Sequence, residues 1–197
     1  MTHATTQSAT STWQLDPAHS SVEFAVKHMM MTTVRGRFKD LHATLTGDED
    51  HPDGCCVEVK IDVASIDTGN SDRDKHLRSG DFFDAERHPN ITFRSIRVEG
   101  TPKRTGDSFQ VIGDLIIGDT TSEITLDCVF EGRGTDPWGK ERAGFSASTQ
   151  IDRREWGCGG TRRSKPAASW LPITCASRSR FSSFATDGRM RTEGRFL

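Results

Sequence analysis

The chain has no apolar run of the roughly 18 residues that a membrane-crossing helix needs, and only 33% of its 197 residues are apolar. No transmembrane segment is therefore expected. Its five cysteines, Cys55, Cys56, Cys128, Cys158 and Cys175, form no Cys-x-x-Cys pair. An odd set without paired spacing fits reduced thiols better than a disulfide framework. None of the seven histidines stands at metal-binding helical spacing from another, and no His-Glu-x-x-His occurs, so no metal site is expected. Gly-x-Ser-x-Gly, phosphate-loop and dinucleotide fingerprints are missing as well. No 20–50-residue repeat is visible, which removes solenoids and propellers. The first twelve residues, MTHATTQSATST, lack both the basic start and the apolar core of a secretory signal. The expectation is a cytoplasmic protein.

What is present is alternation. Val22, Phe24, Val26 and His28 alternate with polar or small residues, and Val34, Gly36 and Phe38 continue the pattern. The apolar parity then flips to Leu41, Ala43 and Leu45, which implies a bulge or bend. Further period-two runs are Val57–Val63, Ile91–Phe93 (flipping to Ile96 and Val98), Phe109–Ile117, Ile124–Phe130 and Ala143–Ile151. Seven strands with short, mostly antiparallel connections need a barrel or a sandwich to bury one face each. Small inward residues (Gly36, Ala43, Gly113, Ala143, Ala147) leave room for a ligand in a barrel. A packed sandwich core fits the same pattern.

One stretch reads differently: Ser71 to Phe93, SDRDKHLRSGDFFDAERHPNITF. Ser71 is placed as an N-cap, with Asp72 and Asp74 in the first turn of a short helix and Gly80 as its stop. Phe82 and Phe83 follow on a loop. Two adjacent aromatics are costly to leave in water, so they are expected to plug a barrel end or an apolar cavity. Arg73, Asp74, His76, Asp81 and Asp84 are candidates for an acid–base cluster. Capping and surface ion pairing explain the same residues, and that is the preferred reading.

Three blocks carry a family resemblance. WQLDPAHSSVEFAVKHMMMTTVRGRF (13–38) holds Asp16, His19, Ser20, Lys27, His28, Val34, Gly36 and Phe38 in an Asp-x-x-His-Ser turn, a strand ending in Lys-His, and Val-x-Gly-x-Phe. RDKHLRSGDFFDAERHPNITFRS (73–95) and LIIGDTTSEITLDCVFEG (115–132) follow in order. These blocks resemble the YceI-like family from about Trp13 to Gly157. The resemblance implies an all-β, extended antiparallel lipocalin-like β-barrel with a short helical lid. It also implies that the barrel holds a polyisoprenoid or quinone-type lipid without catalysis, as a carrier or store, with no cofactor. On this reading Phe24, Val26, Phe38, Phe93, Leu115, Ile117, Leu126 and Phe145 line the cavity, and Leu77, Phe82 and Phe83 cap it. Lys27, Arg73 and His76 are the candidates for a headgroup at the mouth. The alternatives are an enzyme acting on an isoprenoid through the Arg73–Asp84 cluster, or a damaged family member.

The last forty residues depart from this pattern. Residues 158–197 hold eight basic and two acidic side chains, a charge of +6, while residues 1–157 carry −8. The expected organisation is a disordered 1–12, a barrel over 13–157, and an irregular Arg/Ser-rich tail over 158–197. Where the family continues with a Trp-Asn loop and a final strand, this chain has CGGTRRSKPAASWLPITCASRSRF. Back-translating 158–185 and reading the neighbouring frame gives LRWNAALEAGGFLVTDHVRIEVEVQFVR, which restores both features. A frameshifted tail is the expectation, and with it a last barrel strand that is missing or replaced. Two open strand edges would then invite pairing with another chain, so a homodimer is a candidate state. The basic tail has no recognisable nucleic-acid-binding module, and no nucleic-acid partner is expected.

Overall fold

The computed structural model of the chain describes residues 11–28, 32–48, 51–157 and 176–178. The elements run β1 (Ser11–Leu15), β2 (Val22–His28), β3 (Thr32–Phe38), β4 (Leu41–Asp48), β5 (His51–Asp62), β6 (Ile66–Asp67), α1 (Ser71–Arg78), β7 (Asn90–Glu99), β8 (Ser108–Ile117), β9 (Thr120–Thr135), β10 (Glu141–Ser148) and β11 (Ala176–Arg178). Eight strands close an antiparallel ring in the order β1-β11-β10-β9-β8-β7-β5-β4, with β4 pairing back to β1. Strands β2, β3 and β6 form a separate small sheet. The architecture is the all-β antiparallel barrel with one short helix that the alternation and the resemblance pointed to.

The two parity flips have different causes. At Phe38–Leu41 the chain leaves the small sheet and enters the barrel, so the flip is a break between two strands rather than a bulge within one. The Lys39 backbone N–H donates to Ser65 Oγ at 3.1 Å, and the Asp62 N–H donates to the Asp40 carbonyl at 2.9 Å, which fixes this corner. In β7 the flip is a bulge between Ser95 and Arg97. Ser95 turns inward and is buried, while Ile96 is 55% exposed. Ser95 Oγ accepts the Val57 backbone N–H at 2.7 Å, replacing the ladder bond that the bulge removes. Gly113 faces the bulge. A Cβ there would stand 2.3 Å from the Arg94 carbonyl oxygen, so only glycine lets the two strands approach.

Helix α1 is capped by Asn70 rather than Ser71: the Asn70 side chain accepts the Arg73 N–H at 3.0 Å. The helix ends at Ser79, not Gly80. Phe83 packs edge-on against Phe38, with ring centroids 6.1 Å apart, and Phe38 lies 5.5 Å from Phe24. Phe82 turns the other way, against the His76 ring at 4.9 Å. One half of the barrel interior is thus filled, by Leu41, Ile61, Val63, Ile91, Phe93, Leu115, Ile117 and Trp156 among others. The Trp156 indole N–H donates to the Leu115 carbonyl at 3.1 Å and seals this end. Each such burial stabilises the fold by roughly 1.5–3 kcal/mol.

The ends of the chain adjust the expected boundaries. β1 begins at Ser11, within the segment expected to be disordered. The tail supplies β11, a three-residue strand that closes the ring between β1 and β10. It pairs with Trp13–Leu15 on one side and with Arg142 and Ala143 on the other. The rest of the tail, on which the frameshift reading and the expected irregularity fall, lies outside the described residues, as do residues 1–10.

Candidate functional site

The open half of the barrel encloses about 440 Å³. Its floor is shared with the packed core: Val59, Val111, Leu126 and Cys128 belong to both. Above the floor the wall is built by inward positions of six strands, chiefly Trp13 and Leu15 (β1), Ala43 and Leu45 (β4), Val57 (β5), Val98 (β7), Phe109 (β8), and Ala143, Phe145 and Ala147 (β10). Phe145 is the aromatic centre of this wall, with its ring 6.0 Å from Phe109 and 5.4 Å from Phe130. The small side chains Ala43, Ala143 and Ala147 leave the space that larger ones would fill. Gly36, also small and inward, does something else: a Cβ there would meet the Phe24 ring at 2.4 Å, so it makes room for an aromatic side chain.

The thiol of Cys128 is a weakly polar group on the floor. Burial first, and the neighbouring Asp127 carboxylate second, push it up to about 12. It stays a protonated, effectively apolar thiol at neutral pH. Polar character collects at the rim, where Thr101, Lys103 and Arg133 line the cavity. The β7–β8 loop that carries Lys103 is held shut by Asp107, whose Oδ2 accepts the backbone N–H groups of Lys103 and Arg104, both at 2.8 Å. These two bonds hold the Asp107 carboxyl below its ordinary range. The loop is tied to β9 by the Gly106 N–H donating to the Phe130 carbonyl at 2.8 Å. Arg133 lies over the Trp13 ring, 5.4 Å from its centroid, and pairs with Glu141 at 3.2 Å.

Of the residues singled out from sequence as lining, Leu126 and Phe145 face this cavity. Phe38, Phe93, Leu115 and Ile117 are buried in the filled half, and Phe24 packs against it. Val26 is half-buried on the small sheet. Leu77 and Phe83 cover the filled half rather than the cavity. The headgroup candidates are elsewhere too. Arg73 donates through Nε to the Thr68 hydroxyl and through Nη2 to the Thr68 carbonyl, both at 2.7 Å. His76 faces Asp81 at 3.4 Å. The side chain of Lys27 lies outside the described residues. Asp74, from the acid–base cluster, is buried and accepts the N–H (3.0 Å) and hydroxyl (2.5 Å) of Thr68. These contacts make the cluster a brace between α1 and the β6 turn.

The Asp16 turn has a comparable bracing role. Asp16 accepts the Ala18 N–H at 3.0 Å and faces His19 Nδ1 at 3.0 Å. Arg142 bridges Asp16 to Asp136, fixing the turn after β1 to the β9–β10 hairpin. The His19 contact comes first among the causes that lower the Asp16 carboxyl. A second concavity, about 450 Å³, lies between β9 and the segment after β10, with Glu123, Asp127, Asp152 and Glu155 on its wall. Four carboxylates make it unsuited to an apolar ligand. Among the described residues no group of three or more His, Cys, Asp or Glu is arranged to hold a metal ion.

A family model described as a YceI-like domain matches residues 13–177. A protein named YceI from Escherichia coli O157:H7 is 39% identical over 138 residues, 70% of each chain. A UPF0312 protein of Pseudomonas aeruginosa (strain LESB58) is 39% identical over 139 residues, 71% of each. Among solved structures, a YceI protein of Campylobacter jejuni aligns with a TM-score of 0.67 at 29% identity, covering 79% of this chain and 90% of that one. A polyisoprenoid binding domain from Saccharophagus degradans shares the fold, with a TM-score of 0.64 at 10% identity over 87% of this chain and 100% of that one.

Proposed function

This chain belongs to the YceI-like family, and on that premise we propose that it binds a long-chain polyisoprenoid or quinone-type lipid, without catalysis, with the apolar tail inside the barrel. The observation that carries the reading is the cavity. It is a continuous volume of about 440 Å³, open at its rim, whose wall below the rim is almost wholly apolar. That volume lies in the lower half of the roughly 300–1,000 Å³ span of small-molecule sites, room for one chain rather than two. Each methylene transferred into it contributes about 0.8 kcal/mol, so a few isoprene units offset the ordering cost of binding. The fold shared with a domain named for polyisoprenoid binding supports the same ligand class. Carriage or storage rather than turnover is supported by the wall itself: no carboxylate or imidazole is among its described residues. We place the protein in the cytoplasm, a reading supported by the thiols of Cys56 and Cys128, which form no disulfide with a described residue. A homodimer is part of the same proposal. Its support is the second edge of β10 beyond Ala143, which has no partner strand among the described residues.

Native mass spectrometry of the full chain, mixed with a quinone bearing an isoprenoid tail, tests the reading and reports the oligomeric state in the same spectrum. One lipid per chain is expected for the parent protein. Ala147→Trp fills the cavity and should abolish the adduct while the far-ultraviolet β signal persists. A parent protein that retains no lipid, or a filled variant that retains it equally, would remove the cavity as the site.

A further inference from the structure

We propose that the second concavity, between β9 and the segment after β10, binds a linear aliphatic oligoamine, a cation whose ammonium groups are spaced along methylenes. The site is separate from the barrel cavity, and no residue lines both. It exists because β10 stops short of its partner. β9 runs Thr120–Thr135, but β10 follows it only as far as Ser148, opposite Asp127. From Thr120 to Leu126 that edge of β9 has no partner strand among the described residues. Ser148 to Ile151 leave the ladder beside it, and the space between is about 450 Å³, the scale of a small-molecule site.

Charge and one buried hydroxyl give this space its chemistry. Strand alternation puts Glu123 and Asp127 on one face of β9, about 13 Å apart, and Asp152 and Glu155 join them from the segment after β10. No Lys, Arg or His is among the described residues of the wall. Arg97 reaches Glu123 only at 3.9 Å, and Arg154 pairs with Asp152. Asp127 accepts the Gln110 amide at 2.7 Å, and neither it nor Glu155 has an ion pair with a described residue. Thr149, on the same wall, is 8% exposed, and its hydroxyl makes no hydrogen bond with a described residue. A hydroxyl buried without a partner is costly, and an ammonium, which carries only donors, supplies what its oxygen lacks. Ile124, Ile151 and the buried Trp156 offer apolar surface for the methylenes between the ammonium groups. The carboxylates do not converge to hold one metal ion, which favours a cation whose charges are spread in the same way.

The test uses isothermal titration of the full chain with spermidine and with butylamine, which share methylenes and differ in the number of ammonium groups. Spermidine is expected to bind at least about tenfold more tightly at low salt, with the ratio falling as salt rises. The double variant Asp127→Asn with Glu155→Gln, at two exposed positions, should remove most of that ratio. Thr149→Val keeps the shape, removes the hydroxyl, and should weaken spermidine about tenfold, with far-ultraviolet dichroism and Tm reporting that each variant is folded. Glu23→Gln, an exposed carboxylate on β2 and off the wall, should leave the ratio as it is. Absence of spermidine binding, equal binding of the two amines, or a ratio indifferent to the double variant would overturn the site. An equal loss in Glu23→Gln would show attraction to the negative charge of the whole barrel, and would overturn it as well.

Discussion

Removing one oxygen atom, by Ser95→Ala, should weaken the whole barrel. At the β7 bulge the ladder between β5 and β7 ends at Glu58–Arg94, and the next β5 donor, the Val57 N–H, is met at 2.7 Å by Ser95 Oγ. Ser95 is buried, and the space around it is tight: a Cβ on the facing Gly113 would come 2.8 Å from Ser95 Cα. Alanine keeps the shape and removes only the acceptor, and the crowding leaves little room for a water to replace it. A buried donor left without a partner costs about 1–3 kcal/mol. In a domain of this size each kcal/mol moves Tm by roughly 2–4 °C, so a fall of about 2–12 °C is expected. In urea the midpoint should drop while the slope stays constant. Hydrogen exchange gives the residue-level check: the Val57 amide should lose protection relative to the Val59 amide two residues on. Ser95→Cys, with a weak sulfur acceptor, should fall between parent and alanine. A Tm within about 1 °C of the parent, with unchanged Val57 protection, would show that the bulge satisfies its backbone in another way.

Two further outcomes follow from the charge states. The Asp67 carboxyl is held down to about 2, first by the hydrogen bond from Lys39, then by the Gly69 N–H and Arg37. Its contribution is therefore complete above the unfolded carboxyl's titration near 3.9 and is lost as pH falls toward 2, so in Asp67→Asn the stability curve should be flatter across that window in acid-titration experiments. Cys128, with its thiol pushed up to about 12, should resist alkylation at pH 8 in the native protein and react once the chain is unfolded. Peptide mapping after iodoacetamide treatment reads this directly, and rapid native labelling of Cys128 would contradict a dry cavity floor.

The strands were legible because a period of two survives any tertiary context: Val57, Val59 and Ile61 face inward wherever β5 lies. The bulge at Ser95 was legible for the same reason, since one extra residue reverses the parity. The break at Lys39–Asp40 left the identical trace, and only the transfer from one sheet to another distinguishes the two. What period two cannot express is height along the barrel axis. Phe93, Leu115 and Ile117 are inward and apolar, as Phe109 and Phe145 are, yet the first three lie in the half sealed by Trp156 and Phe83. The seal depends on contacts far apart in sequence, such as the Trp156 indole on the Leu115 carbonyl. A clue to the cavity was present in β10, where Ala143 and Ala147 bracket Phe145. The pairing of Lys103 with the mouth had no local signal, because its loop reads as an ordinary Gly/Pro turn. The helix showed the opposite failure. Arg73 and His76 carry the chemistry of a site, but their partners are Thr68 and Asp81.

The three-residue strand β11 also sets the order in which this molecule can be assembled. Trp13 meets Leu45 across one seam and Arg178 across the other. The second closure spans about five times more chain, which raises its entropic cost by about 1.4 kcal/mol. Its return is only a few ladder bonds, where β8 and β9 zip together from Ser108 to Ile117. A seam with so much to close and so little to gain forms last, after the curled sheet from β4 to β10 already exists. By the same accounting it opens first, making the joint between β10 and β1 the latch of the barrel and the remaining seams its frame.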